Sequence, residues 1–447
     1  MKQTEIGLIP DDWEVKNINK ECTIKARIGW QGLKSNEYLD FGDYVLITGT
    51  DFDNGFINWK SCNYVSEWRF KQDKNIQIKQ GDVLITKDGT IGKVAFLNEI
   101  PMQGTLNSGV FVIRPKSYEK IDTVFLSLIF KSIWFDSFLE QITSGSTIVH
   151  LYQKDFVTFN FPIPPTLPEQ QRIAKALSDV DALISTTEKL IQKKKNIKQG
   201  AMQNLLTGKK RLPGFGPQTK SPAYKQTELG PIPEDWEIKS LGEIFEFRPN
   251  NTFTRDCLND SKGKYQNVHY GDVLIKYPSI LDCSKETIPF INEGINVKFS
   301  KYGIIEGDII IADTAEDETV GKVVEIFNLG EKKIVSGLHT FLCRKITDDF
   351  APKWLGYFMN QAIFHNQLLP FITGTKVSAI SRTAIQNVKV LIPSKEEQTA
   401  IANVLSSMDK EIETLNTKLE KYRNLKTAMM QQLLTGKIRM NKTGVQK

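Results

Sequence analysis

The chain has 447 residues, of which 40% are apolar and 25% charged, as expected for a soluble globular protein with more than one domain. No apolar run approaches the roughly 18 residues of a membrane-spanning helix, and residues 1–13 lack a secretory signal pattern. The five cysteines and four histidines show no metal-ligand spacing. We therefore expect reduced thiols, no metal site, no membrane contact and a cytoplasmic protein.

The net charge of +6 is unevenly distributed along the chain. Residues 168–211 contain ten Lys or Arg and four Asp or Glu, so their excess of six equals that of the whole chain. A basic stripe on a helix suits a polyanion such as DNA. Charge alone fits a solvated helix face equally well.

Both halves of the chain open with nearly the same sequence. Residues 2–18 read KQTEIGLIPDDWEVKNI, and residues 225–241 read KQTELGPIPEDWEIKSL. The repetition indicates a tandem duplication. We interpret the motif as structural: Pro10 and Pro233 stop any preceding helix, and Trp13 and Trp236 are core anchors rather than base-stacking residues.

After this motif each half is predicted to be rich in strands, because short β-branched runs alternate with Gly and Asp. The predicted strands lie at 42–50, 81–97 and 109–115, and in the second half at 271–277, 307–326 and 336–345. Shorter helical patterns follow at 123–141 and 352–369. The halves differ most in their loops, which indicates one scaffold with two sets of recognition loops.

Each half ends in a segment that can form one long helix. Residues 169–207 and 396–436 each carry apolar residues at alternating spacings of four and three, the period of a coiled-coil seam. A helix of this size is about 60 Å long at 1.5 Å per residue. Its apolar stripe must be buried, and we expect the partner to be the other repeat; the alternative is separate packing on each local domain.

No catalytic motif stands out. The GTIGK sequence before Val94 lacks the spacing of a phosphate-binding P-loop, and no Gly-rich dinucleotide turn is present. Ser146 is not in a GxSxG elbow. Asp82 and Lys87 fit a nuclease pattern only if forced, so we expect a protein that binds rather than catalyses.

The loops contain donors and acceptors beside glycines, which permit close approach of the backbone to base edges and phosphates. For each residue the alternative is a turn residue bonded to its own backbone. The candidates for DNA binding are Lys87, Asp88, Gly89, Thr90, Ser144, Gly145, Ser146, Thr147 and His150 in the first half, and Asp313, Thr314, Thr319, Thr375, Lys376, Ser378 and Arg382 in the second.

Four features together resemble the specificity subunits of type I restriction-modification enzymes. They are the GxIPxDW opening, the GD-strand-GxxGK segments, the helix starts LPEQQRIAKAL and SKEEQTAIANVL, and the helix ends LLTGK. The resemblance covers essentially the whole chain, twice and in the same order. The second helix start lacks the proline of the first.

The resemblance implies an α+β fold with two β-rich target-recognition domains in tandem, separated by two long helices that pair as an antiparallel coiled coil. The expected boundaries are domain 1 at 1–166, the central helix at 167–208, a linker at 209–224, domain 2 at 225–394, the C-terminal helix at 395–437 and a tail at 438–447.

The resemblance also implies a non-catalytic subunit. Each recognition domain would read one half of a bipartite, asymmetric site in double-stranded DNA, while the helices set the spacer. Two methyltransferase subunits, which hold the S-adenosylmethionine, would dock on it, and restriction subunits through them; this chain itself would bind no cofactor. The alternatives are a fused methyltransferase or nuclease, and a coiled-coil interaction protein with no role in DNA binding.

Overall fold

In the computed structural model the described residues are 1–29, 32–143, 150–216, 223–374, 377–441 and 444–446. Contacts divide the chain into two compact units. Unit 1 consists of Met1–Glu188 and Thr417–Lys447, and unit 2 consists of Lys189–Asn416. Each unit therefore holds the first part of one long helix and the last part of the other.

The first repeat contains thirteen short strands and six helices in its described part. The strands are β1 (Lys2–Thr4), β2 (Gly7–Ile9), β3 (Glu14–Asn17), β4 (Cys22–Lys25), β5 (Tyr44–Ile47), β6 (Phe52–Asp53), β7 (Phe56–Ile57), β8 (Asn63–Val65), β9 (Val83–Thr86), β10 (Val94–Phe96), β11 (Gly104–Leu106), β12 (Val110–Pro115) and β13 (Asn160–Ile163). The helices are α1 (Ile18–Glu21), α2 (Glu67–Lys71), α3 (Thr123–Ile129), α4 (Ile133–Thr143), α5 (Gln153–Phe156) and α6 (Leu167–Leu205).

Two sheets organise the strands of unit 1. A four-stranded antiparallel sheet has the order β10-β9-β12-β4, and a three-stranded sheet has the order β11-β5-β8 with β11 parallel to β5. All four residues of β9 are buried, as expected for a strand covered on both faces. Rings that contact one another form one part of the core: Phe111, Phe130, Phe135, Phe156 and Phe159.

The second repeat begins like the first, with three strands, a short helix and a strand, and ends like it in a strand and a long helix, but the elements between differ in number and order. Its strands are β14 (Tyr224–Thr227), β15 (Gly230–Pro233), β16 (Glu237–Ser240), β17 (Phe245–Arg248), β18 (Leu258–Asn259), β19 (Gln266–Val268), β20 (Ile280–Asp282), β21 (Phe290–Ile291), β22 (Ile309–Ala312), β23 (Thr314–Ala315), β24 (Val323–Phe327), β25 (Ile334–Ser336), β26 (Thr340–Lys345), β27 (Ser378–Ala379) and β28 (Lys389–Ile392). Its helices are α7 (Leu241–Ile244), α8 (Tyr270–Ile275), α9 (Phe299–Tyr302), α10 (Trp354–Phe358), α11 (Ala362–His365), α12 (Arg382–Gln386) and α13 (Lys395–Leu433); two tail strands, β29 (Arg439–Asn441) and β30 (Gly444–Gln446), belong to unit 1.

Unit 2 is built on a five-stranded sheet of order β17-β26-β22-β24-β20 and a four-stranded sheet of order β18-β21-β19-β25. The strand predicted at 271–277 is wrong, because α8 occupies most of that segment. The His269 side chain accepts a hydrogen bond from the Gly271 N–H at 3.2 Å and caps this helix. The preceding β19 supplies the strand instead and runs parallel to β25.

The long helices α6 and α13 pack against each other and run antiparallel in both units. In unit 1, Lys426 forms an ion pair with Asp181 at 2.6 Å, and in unit 2, Lys194 pairs with Glu411 at 2.7 Å. The predicted seams are confirmed, because every seam residue is buried or half-buried, and separate packing of the helices is wrong. The seam residues are Ile173, Leu177, Val180, Ile184, Thr187 and Ile191 on α6, and Ile401, Leu405, Met408, Ile412, Leu415, Leu419 and Tyr422 on α13.

The repeated opening motif packs against the glycine that ends a long helix. In unit 1, Pro10 lies against Gly436, and in unit 2, Pro233 lies against Gly208. Both glycines have positive φ, of 68° and 71°, as is common just after the end of a helix. The GxIPxDW and LLTG motifs occur together in each repeat because the proline ring packs where the residue after the helix has no side chain.

An arginine three residues after each of these glycines joins the opening motif to the start of a long helix. In unit 1, Arg439 donates to Asp12 at 2.6 and 2.8 Å and to Glu169 at 2.7 and 3.0 Å; we call these residues the Arg439 cluster. In unit 2, the Arg211 cluster joins Arg211 to Asp235 and Glu397 in the same way. Trp13 and Trp236 beside them are fully buried, which confirms them as core anchors.

Replacing Gly436 with alanine should destabilise unit 1 more than the same change at Gly89. The two glycines have φ of 68° and 69°, but a Cβ at Gly436 would lie 2.3 Å from Pro10 Cγ, whereas one at Gly89 meets no atom within 4 Å. Both variants carry the cost of the left-handed backbone, about 1 kcal/mol. The clash should add about 1–3 kcal/mol to Gly436→Ala. Chemical denaturation checks this, and equal losses would show that the proline contact does not matter.

Candidate nucleic-acid interface

Three loops of unit 1 meet at the end of β9. The Lys87 N–H donates to the Gly109 carbonyl at 2.9 Å, and the Leu151 N–H donates to the Lys87 carbonyl at 2.9 Å. These bonds bring together two of the segments singled out in the sequence, the loop that follows β9 and the described end of the segment around His150.

Polar and aromatic side chains surround this junction. His150 Nδ1 contacts Asp88 Oδ1, and the imidazole lies against the Tyr152 ring with a centroid separation of 4.3 Å. Asp88 and Tyr152 are exposed, and Lys87 is half-buried beside the Phe111 ring. The cluster thus offers a carboxylate, an imidazole, an ammonium and an aromatic face toward solvent; we call it the unit 1 loop cluster.

Unit 2 repeats this construction at the end of β22. The Asp313 N–H donates to the His339 carbonyl at 3.1 Å, and the Ile380 N–H donates to the Asp313 carbonyl at 2.9 Å. Asp313 Oδ1 lies 3.3 Å from His339 Nδ1, and Thr314 Oγ1 donates to Asp313 at 2.7 Å. The Tyr270 ring packs edge-on to His339 at 5.3 Å. These residues form the unit 2 loop cluster.

The two clusters share their backbone connections but present different side chains. In unit 1 the histidine comes from the segment after α4, whereas in unit 2 it comes from the loop before β26. His339 was missed in the sequence because it stands inside a predicted strand segment, and its φ of 53° places it in a turn. Tyr152 was also missed, although it lies only two residues from His150.

The remaining candidates have different surroundings. Gly89 and Thr90 lie exposed in the loop after β9. Thr319 bonds Asp317 within its own turn, and Ser378 lies in β27, paired with Ala315 of β23. Arg382 donates to the Phe247 carbonyl at 2.7 Å. The other candidates lie outside the described residues: Ser144, Gly145, Ser146, Thr147, Thr375 and Lys376.

The part of the chain that the structure describes also bears on metal binding, membrane insertion and thiol chemistry. There, no group of three His, Cys, Asp or Glu is arranged to hold a metal ion, and no helix is long and apolar enough to cross a membrane. Burial raises the pKa of Cys22 and of Cys62 to about 12 and that of Cys283 to about 11. These thiols therefore stay protonated at neutral pH and are poor nucleophiles.

Comparison with known proteins gives consistent matches. The family model described as the type I restriction modification DNA specificity domain matches residues 10–198 and 233–421. The chain is 29% identical over 443 residues to the type I restriction enzyme MjaVIII specificity subunit of Methanocaldococcus jannaschii, covering 97% of this chain and 94% of that protein.

Two solved structures show the same fold. The S subunit of a type I restriction-modification system from M. genitalium aligns with a TM-score of 0.55 at 14% identity, covering 97% of this chain and 98% of that one. A second structure, described as concerning complex assembly and conformational transition of the type I R-M system, aligns with a TM-score of 0.51 at 16% identity, covering 96% and 98%.

Proposed function

Because this chain belongs to the type I restriction-modification DNA specificity family and is a specificity subunit, we propose that each of its two units reads one half of a bipartite, asymmetric DNA site. The observation that carries this proposal is the duplicated loop cluster. A shared backbone frame with two different sets of side chains suits two readers of different sequences.

The clusters contain the groups that read base edges. Carboxylates accept hydrogen bonds from cytosine amino groups, and lysine donates to guanine. Asp88, His150 and Lys87 would act on one half-site, and Asp313, Thr314 and His339 on the other. Aromatic faces at Tyr152 and Tyr270 would pack against sugars or bases.

The long helices would set the spacer between the half-sites and dock the methyltransferase subunits. A continuous apolar seam supports the first role, because a coiled coil has a fixed length for a given number of heptads. Apolar side chains that α6 and α13 expose would contribute to the docking surface, among them Leu183, Leu190 and Leu425. Two methyltransferase subunits would bind S-adenosylmethionine and perform the transfer, and restriction subunits would join through them.

Reconstitution tests this function. The chain alone should bind DNA weakly and transfer no methyl group, because the bases would be read here and modified by the partner. With its methyltransferase subunit it should form a complex of two such subunits per chain that methylates one sequence. Labelled methyl transfer measured with each component omitted in turn checks this. Methyl transfer by the purified chain alone would contradict it.

A further inference from the structure

A basic pocket of about 390 Å³ lies in unit 1, and none of the unit 1 loop cluster residues lines it. Three lysines line it, Lys93 from the loop before β10, Lys131 from the turn after α3 and Lys426 from α13. The tight turn of the β6-β7 hairpin, Asn54–Gly55, closes one side. None of the described residues that line this pocket is acidic.

Lys131 is the central cation of the pocket. Its Nζ lies beside Gly55, where an added Cβ would be 2.3 Å from this nitrogen, and 5.8 Å from the centre of the Phe56 ring. Among the described residues it has no hydrogen-bond acceptor and no ion-pair partner. Burial, reinforced by the nearby Lys426 and opposed by Asp181, lowers the pKa of Lys131 to about 8. The folded chain therefore holds a poorly solvated ammonium that none of the described carboxylates contacts, because Asp181, the nearby acid, is paired with Lys426.

The other two lysines are partly or wholly available. Lys426 forms an ion pair with Asp181 at 2.6 Å, which neutralises one charge beside the pocket. Lys93 is exposed, and none of the described acidic residues pairs with it. The pocket therefore carries two positive charges in excess at neutral pH.

The described residues of unit 2 do not repeat this site at the equivalent positions. Where Lys131 follows α3, Asn360 follows α10, and its side chain is saturated by backbone bonds to Val323 and Gly356 at 2.7–3.1 Å. Lys322, at the position of Lys93, donates to the Leu274 carbonyl at 2.8 Å. The equivalent position in unit 2 thus satisfies its polar groups internally, whereas unit 1 leaves its cations open.

We propose that this pocket binds a phosphate group of the DNA backbone beside the half-site read by unit 1. The inference rests on the proposed function. A backbone phosphate would supply the missing counter-charge to Lys131 and Lys93, and such contacts fix the position of a protein on DNA without reading sequence. Only unit 1 would make this contact, so the affinity for its half-site should depend more steeply on salt concentration than the affinity for the other half-site.

The test replaces Lys131 with methionine in the full chain assembled with its methyltransferase subunits. The slope of log affinity against log salt should fall in magnitude by about 0.9, the value for one lost phosphate contact on duplex DNA. The loss of affinity should be equal on cognate and random DNA, and the methylated sequence should not change. Lys131→Arg should keep the slope.

Thermal stability separates a binding residue from a structural one. Because the folded pKa of Lys131 lies below the unfolded value, charging it opposes folding below about pH 8, and this cost fades as pH rises toward the unfolded pKa. At pH 7, Lys131→Met should therefore melt higher than the wild type while binding DNA more weakly. Lys322→Met is the matched control in unit 2, and it should leave the salt slope unchanged.

Phosphate sources are distinguished in the same assay. A neutral methylphosphonate at one backbone position should weaken the wild type and have no effect on Lys131→Met. If inorganic phosphate stabilises the wild type but no methylphosphonate position matters, the pocket holds a free anion and the proposed DNA contact is wrong.

If Lys131→Met left the salt slope unchanged and lowered the melting temperature, the role of Lys131 would be purely structural. A wild-type complex without sequence preference would refute the proposed function itself.

Discussion

Replacing Arg439 with methionine should cost unit 1 about 3–5 kcal/mol of unfolding free energy, the range for removing one partner of a buried ion pair. The Glu169 side chain is 5% exposed, and both its oxygens accept from Arg439. Without the guanidinium its charge would stay buried and unpaired. The start of α6 would also lose its connection to Asp12 of the opening motif.

Arg423→Met is the matched control, because it removes the same group from the same unit at an exposed site. Arg423 pairs with Glu188 and Glu420 on the helix surface and is 49% exposed. Such a pair is worth at most about 1 kcal/mol. Urea denaturation followed by fluorescence compares the two variants. If Arg439→Met unfolded at the same urea concentration as Arg423→Met, the Arg439 cluster would not hold unit 1 together.

Acid should reduce the contribution of this cluster. Hydrogen bonding to Arg439 holds the pKa of Asp12 below its usual value, so the stabilisation is present above the unfolded pKa near 4 and is lost as pH falls below it. The difference between the wild type and Arg439→Met should therefore narrow in acid.

Replacing Asp88 and His150 together with alanine should slow methylation of the cognate site about 100-fold. Each base contact is worth about 1–3 kcal/mol, and the two side chains lie in contact within the unit 1 loop cluster. Selectivity should relax in only one half of the site. The pair Asp313 and His339 should have the same effect on the other half. Methylation rates on DNA varied in one half at a time give both results.

Fold and charge must be controlled in this experiment. Asp88 is exposed and His150 half-buried, so the double variant should melt near the wild-type temperature. Asp179→Ala removes an exposed carboxylate of α6 that pairs with Lys175 along the helix, and it should leave both half-sites intact. If the Asp88 and His150 variant relaxed both halves together, the two units would not read separately.

Much of the fold follows from sequence periodicity. The spacing of four and three in α6 and α13 predicts the seam, because each helix must bury one stripe, and Ile401 and Leu405 are fully buried. The GxIPxDW repeat predicts buried tryptophans. The α8 helix was not predicted, because the residues after Gly271 have a high strand propensity and histidine is not among the usual capping residues, although His269 caps the helix here.

The site was predicted only in part, for a similar reason. The loop after β9 is readable as polar and Gly-rich, and the structure does bring Lys87 and His150 to one junction. No local pattern shows that His339 takes the role of His150, since the two come from different segments. The basic pocket also could not be predicted from the sequence, because Lys93, Lys131 and Lys426 lie far apart in the chain and become neighbours only after folding.

Under the proposed function, the two units of this chain read two separate parts of a DNA site. Methylation-aware sequencing of DNA from cells that express this chain with its methyltransferase subunits tests it most directly. We expect one asymmetric motif with two specified parts, separated by an unspecified gap of constant length, and we expect it to disappear when the chain is omitted. A single uninterrupted motif, or the same methylation without the chain, would contradict it.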